Sequence, residues 1–314
     1  MFAHGHDHSV DMLNAVWRLV FCGFLVLAPQ PLSTQKSWAF DHQDLEYFQK
    51  NRECSGCNLA GVDLASLYFE EDDLIEADLS GSNFENADLS WVNLTRANLS
   101  NANLSRAILR LTNLTEATLR KAILFETDLT GANLQGANLS QATLEYANLT
   151  DSNLSMANLQ EALLNFCFLT GATMISANLD GAAMESADLG RANLEKSSMQ
   201  RVNLNWANLQ LATLISANLS NSDLRLASLS QADLSNALLA YANLQQTTLR
   251  DANLSFSSFF KANLAEADFS WSNLSGTDFN AANLEQAQFQ HTLLCQSETN
   301  FKNLANIRCS SMEP

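Results

Sequence analysis

The chain has 314 residues, with 34 Asp and Glu against 17 Lys and Arg, a formal charge of −17 at pH 7. That acidity argues against nucleic acid and anionic membrane surfaces as partners, since both are densely negative; it favours basic partners, or ones that accept a polyanion-like surface. Three prolines and eleven glycines leave no Pro/Gly-rich linker, and six cysteines are too few for a disulfide scaffold.

Residues 1–39 read as an export signal. Arg18 precedes the apolar run Leu19–Ala28. A helix needs ~20 residues to cross a ~30 Å hydrocarbon core, so this run has only the length of a signal-peptide core. Ser37-Trp38-Ala39 then puts small residues at the −3 and −1 positions of a cut after Ala39. Met12 suits the start of such a signal better than Met1, so His4, His6 and His8 are assigned no metal. Bulky Phe21 before Cys22 disfavours lipid attachment. After cleavage no stable membrane insertion is expected.

Residues 40–57 are expected to form an N-terminal cap. In "FDHQDLEYFQKNRE", Asp41 can cap a short helix that carries Leu45 and Phe48 inward. Cys54 and Cys57 follow in CSGC. A CxxC pair raises a thiol-redox reading, but that chemistry ordinarily sits between a strand and a helix, a setting missing here.

From Leu59 to Leu294 every fifth residue is Leu, Phe or Met, 48 positions without a slip of phase. Two residues before each stands a small side chain, alanine in 30 of the 48 cases; the residue between is mostly Asn, Asp, Thr or Ser. An odd period cannot belong to a flat strand, where residue i+5 faces the opposite side. Nor does five lie on the i, i+3, i+4 stripe of a helix. The pattern survives only if the chain turns once per repeat: small residue and leucine point inward, the residue between them points out, and the last two make a corner. Stacked turns of this kind form a solenoid.

The run of A-(D/N)-L-x-x, as in "ANLQGANLS" and "ADLSNALLAYANL", resembles the pentapeptide-repeat family over about 240 residues. That resemblance implies an all-β, right-handed quadrilateral β-helix with four pentapeptides per coil, hence about 12 coils over residues 58–295. At ~4.8 Å per coil the rod would be about 58 Å long. Alanine fits because a narrow square interior can accept a leucine only beside something tiny. Val62, Leu67, Val92 and Val202 strain this rule, and Asp72 breaks it. A carboxylate in that core is costly, so "FEEDDL" is expected to bulge the early coil. Residues 296–314 lose the leucine phase and are expected to cap the other end.

The resemblance also bears on the cysteines. Exported pentapeptide proteins, common in cyanobacteria, carry a similar Cys-rich start before their first repeat, which implies a structural role. In an oxidising compartment, Cys54–Cys57 and Cys295–Cys309 are candidate disulfides.

No catalytic site is expected. Outside the signal region only His42 and His291 remain, both outside the repeat surface on this reading. No G-x-S-x-G, H-E-x-x-H, P-loop or dinucleotide motif occurs. The acids at 70–73 with Glu76 read as a solvated acidic end, so no metal and no cofactor are assigned. What remains is surface. One corner column would run Arg106, Glu126, Tyr146, Phe166, Ser186, Trp206, Leu226. With outward Ile123 and Leu163 and the corner residue Phe125, it gives a candidate partner-binding patch: Ile123, Phe125, Tyr146, Leu163, Phe166 and Trp206. The side containing Leu79 carries four acids and four bases, that containing Leu64 eight and two, and that containing Phe69 eight and three.

The leading expectation is a non-enzymatic, exported rod in the periplasm or thylakoid lumen that binds an unidentified protein. A homodimer through one end also fits. Some relatives in this family imitate DNA and bind DNA gyrase, which would make the chain a cytoplasmic DNA mimic; Arg106, Arg110, Arg191, Arg225 and Arg250 interrupt the acidic sides against that. A thiol-redox role through CSGC is the third class.

Overall fold

A computed structural model describes residues 40–51, 53–69 and 72–294. The expected signal at 1–39, the tail at 296–314, and Cys295 and Cys309 lie outside these residues.

Coiling follows directly from the backbone pairing. Every parallel bridge, from Glu53↔Asp73 to Asn273↔Leu293, joins residues twenty apart. Twenty residues at five per side make a four-sided coil, and the series from Glu53 to Leu293 takes twelve such steps. Winding therefore begins at Glu53, ahead of the boundary at 58 drawn from the leucine phase. The reason is chemical: Cys54 occupies the leucine position of one more repeat, which a search for leucine passes over, and Cys57 is the alanine position of the repeat that follows.

The described corners from Cys54–Cys57 to Leu284–Ala287 close through an N–H donated by the small residue to the carbonyl of the residue three before it, as in Ala107 to Leu104 at 3.0 Å. The second corner residue is left-handed at every described corner from Gly56 to His291, with φ between +56° and +74°. A four-residue turn with positive φ at its third position is the type II pattern. None of these left-handed residues is Val, Ile or Thr, the side chains for which that region is most strained. The first corner residue admits Ile75, Thr95, Ile175 and Ile215 freely.

The outward middle residue ties coil to coil. Asn98 accepts the N–H of Ser100 at 3.2 Å and donates its amide to Asp78, one coil earlier, at 2.9 Å. Asn and Asp suit this position because a short side chain can bond the backbone two residues on. Inside, alanines and leucines are buried almost without exception. Most hydroxyls at the alanine position reach a carbonyl, as Thr127 reaches Leu104, which satisfies the buried polar group; Ser272 is the exception. Larger residues there are held in the same corner, whose closing bond is 3.2 Å at Val92, 3.3 Å at Val202 and 3.4 Å at Leu67.

Asp72 corrects an expectation. Around it Phe69 donates to Asp88, Leu74 to Asn93 and Asn93 to Asp72, at 2.8–3.1 Å, and the twenty-residue register holds on both flanks. No bulge forms at the described positions; the Asp72 side chain turns inward instead and is 3% exposed. Breaking the ladder would orphan backbone groups at about 1–3 kcal/mol each, a cost that acts against a bulge.

The helix α1 (His42–Asn51) closes that end. Asp41 accepts the N–H of Gln43 at 2.8 Å, an N-cap. Asp44 reaches across to accept the N–H of Asn58, and Phe48 stacks on Phe69 at 5.9 Å between ring centres. Farther along, Phe259 over Phe279 and Phe269 over Phe289 fill the last coils from opposite sides, stacking at 5.3 and 5.1 Å.

Candidate partner-binding surface

A rod whose interior is spent on leucine and alanine has only its corners and outward middle residues with which to meet other molecules. At the corner following residues 122–124, the chain has placed large apolar groups at both kinds of position. Tyr146 and Phe166 are the left-handed corner residues of adjacent coils, and their rings stack at 5.1 Å and 7°. Phe125 sits one coil before Tyr146 and meets it edge-on at 5.7 Å. On the preceding side Ile123 and Leu163 each bridge Thr143, one from either coil.

Five of these groups remain open to solvent: Ile123 43%, Tyr146 47%, Leu163 41%, Phe166 41% and, on the following side, Phe168 52% exposed. Phe125 is half-buried beneath them. Phe168 was not among the residues expected from the sequence. It occupies the same outward position as Leu163 and breaks the same polar rule, so the signal was there, on the side that went unread. Trp206, by contrast, stands apart: it follows Phe166 by two coils with Ser186 between, and no ring contact joins it to the cluster among the described residues. The structure therefore brings together Ile123, Phe125, Tyr146, Leu163 and Phe166, adds Phe168, and leaves Trp206 as a separate exposed ring.

Other corners carry rings too. Tyr241 and Phe260 meet edge-on at 5.7 Å with Lys261 over both, and Trp271 stacks on His291 at 4.1 Å.

Charge on the rod is partly neutralised in place. Arg106 pairs with Glu85, Arg110 with Asp128, Arg225 with Asp223 and Arg250 with Asp268. Burial pushes the pKa of Asp128 up, but hydrogen bonds from Thr130 and Arg110 outweigh it and leave the carboxyl below its ordinary value. Asp223 follows the same balance through Arg225 and Asn205, and Asp268 through Ser270 and Arg250.

The three described cysteines are all buried. Cys54 and Cys57 are joined as a disulfide across the first corner, both buried. Cys167 is a free thiol at an alanine position; burial drives its pKa up to about 12, so no thiolate forms near neutrality. His42 lies against Phe40, and His291, expected outside the repeat surface, is a left-handed corner residue of the rod that stacks on Trp271. Among the described residues no cluster of His, Cys, Asp or Glu could hold a metal ion, and no helix is long and apolar enough to cross a membrane.

Comparison with known proteins agrees with this architecture. The profile of pentapeptide repeats matches in overlapping stretches from 53–90 to 262–298. HetL of the cyanobacterium Nostoc sp. strain PCC 7120, a pentapeptide-repeat protein involved in regulating heterocyst differentiation, is 30% identical; the match covers 76% of this chain and 91% of HetL, with a TM-score of 0.25. A pentapeptide-repeat protein of the Arabidopsis thaliana thylakoid lumen is 28% identical over 35% of this chain and 66% of its own, with a TM-score of 0.19. QnrB1, a plasmid-mediated fluoroquinolone resistance protein, is 17% identical over 73% of this chain and 90% of its own, with a TM-score of 0.29. A comparison with curated proteins finds no significant match. With superpositions this loose, it is the repeat itself, carried in register from residue 53 to 298, that assigns the chain: it belongs to the pentapeptide-repeat family.

Proposed function

We propose that the protein is a non-enzymatic binding rod, wound in the right-handed sense its family membership implies, that holds another protein at the corner around Tyr146 and Phe166. One observation carries this reading. Six large apolar side chains converge across the three coils from Ile123 to Phe168, five of them solvent-exposed, on a surface whose outward positions are otherwise mostly Asn, Asp, Ser and Thr. Contiguous apolar surface with aromatic anchors is the composition of protein contact sites.

Export through residues 1–39 to the periplasm or thylakoid lumen belongs to the same proposal. The Cys54–Cys57 disulfide supports it, because such bonds persist in oxidising compartments. A DNA-like role needs a continuous negative surface. Here four arginines each neutralise a carboxylate, and apolar rings occupy the junction of the two acid-rich sides. A redox role through CSGC needs an accessible sulfur, whereas Cys54 is wholly buried.

The test is site-specific photocrosslinking in the host. Benzoylphenylalanine in place of Tyr146 is expected to give a discrete protein adduct that Phe166→Ser abolishes. The same group at Asn236, on the diagonally opposite corner, is expected to give none. Equal adducts at both positions, or none at 146, would overturn the proposal.

A further inference from the structure

The apolar patch sits at a particular corner: the one shared by the two acid-rich sides, those containing Leu64 and Phe69. Over residues 122–131, 142–151, 162–171 and 182–191 these two sides hold six acids, Glu126, Asp128, Glu145, Asp151, Glu185 and Asp188, against one base, Arg191, which stands at the far edge of the side containing Phe69. Of these acids only Asp128 has a cation, Arg110, which reaches it from the coil before. Glu126 follows Phe125 directly and occupies Tyr146's column one coil earlier; Glu145 and Glu185 are the first corner residues next to Tyr146 and Ser186. None of the three makes an ion pair among the described residues.

The rings are similarly half-satisfied. Tyr146 covers one face of Phe166, and no ring or cation lies on the other among the described residues. The next residue down that column is Ser186, whose side chain is too short to cover a ring.

We infer that the occupant of this corner is a basic, arginine-bearing segment of a partner protein, an inference that rests on the binding role proposed above. A guanidinium can lie flat on an aromatic face while its N–H fork meets a carboxylate. Phe166 and Tyr146 flanked by Glu126, Glu145 and Glu185 offer both at once. The other candidate occupants fit worse. A second copy docked isologously would bring the same acids against these. Nucleic acid and anionic lipid are repelled. A wholly apolar partner would strip water from the carboxylates and return nothing for it.

The experiment measures fluorescence anisotropy of two labelled peptides, one alternating arginine with leucine and one alternating arginine with serine, against the full chain. The arginine–leucine peptide is expected to bind more tightly than the arginine–serine one, and more weakly as salt rises. Glu126→Gln/Glu145→Gln/Glu185→Gln should weaken it about tenfold, the scale of 1.4 kcal/mol. Glu116→Gln/Glu161→Gln/Asp251→Asn, three exposed acids on other columns, should weaken it by less than about twofold. All six are corner positions, five of them exposed and Glu145 half-buried, and unchanged thermal melting confirms that each variant is folded. Equal weakening by the two triples would mean undirected charge attraction and would overturn the inference, as would no preference for the leucine peptide or no effect of the first triple. A failed peptide experiment beside a persisting adduct at position 146 sinks only the basic occupant; loss of both sinks the binding reading as well.

Discussion

Two corners of the rod carry an edge-on pair of rings, and they treat positive charge in opposite ways. At Tyr241 and Phe260 the centroids are 5.7 Å apart at 85°, and Lys261 places its ammonium 5.4 and 5.1 Å from the two rings. At Phe125 and Tyr146 the pair has nearly the same geometry, 5.7 Å and 75°. Yet twenty residues after Tyr146, where Lys261 stands relative to Tyr241, the chain has Phe166. One corner supplies its own cation and lies between the side with equal acids and bases and the acid-rich side containing Leu64. The other supplies a third ring and adjoins two sides rich in acid. Exposed rings alone therefore do not mark a binding surface; what distinguishes the Tyr146 corner is that its rings and carboxylates are left for something else to complete.

The comparison is broken most forcefully by giving the first corner a cation of its own. Phe166→Lys should copy the Lys261 arrangement and weaken the arginine–leucine peptide at least about tenfold, with thermal melting unchanged, read by anisotropy and circular dichroism. Undiminished binding would show that the face of Phe166 is not the seat. A smaller effect is expected from the reverse exchange. Lys261→Met should cost no more than about 1 kcal/mol of stability, the worth of an exposed cation–π contact, and give the peptide a weak second site visible in the binding stoichiometry. If no second site opens, the acid-rich flanks matter more than the rings.

The smallest effect concerns the one paired acid of the first corner. Because Asp128 titrates lower in the folded chain than in the unfolded one, its contribution is fully present above the unfolded pKa of ~3.9 and is lost as pH falls through the folded value. Arg110→Gln should therefore lower stability near neutrality by at most about 1 kcal/mol, since the guanidinium is largely exposed, and the difference from the unsubstituted chain should vanish once pH falls below the folded pKa of Asp128. A difference that persisted into strong acid would assign the loss to packing of the arginine stem.

Much of this molecule is legible in its repeat. The count of five, the inward alanine and leucine, and the four-sided coil follow from periodicity, because a side chain's face is fixed by its place in the repeat. The helix over the first coil was legible too, from Asp41, Leu45 and Phe48. What escaped were features that obey the backbone while departing from the leucine pattern. Cys54 and Cys57 read as a motif in front of the repeat, though they are the leucine and alanine of its first corner. Asp72 was expected to break the coil because the cost of an inward carboxylate was weighed alone, without the ladder bonds a bulge would sever. The asymmetry between the corner residues, only the second being left-handed, was written in its lack of β-branched side chains. Phe168 and the Tyr241–Phe260 pair were missed for a simpler reason: a patch is a property of neighbouring columns, and a single column was read.

The fixed twenty-residue register gives the chain an unusual grammar of insertion and deletion. Removing one pentapeptide anywhere between Phe125 and Tyr146 would leave the interior as well packed as before, yet rotate everything downstream by a quarter turn. Phe125 and Tyr146 would then look out over different faces, and the cluster would be scattered without a single residue having changed. Removing four pentapeptides would shorten the rod by one storey and keep every later face in place. For lineages that gain and lose repeats by slippage, multiples of twenty should be the lengths that preserve a binding surface, and odd fives the ones that erase it or create another.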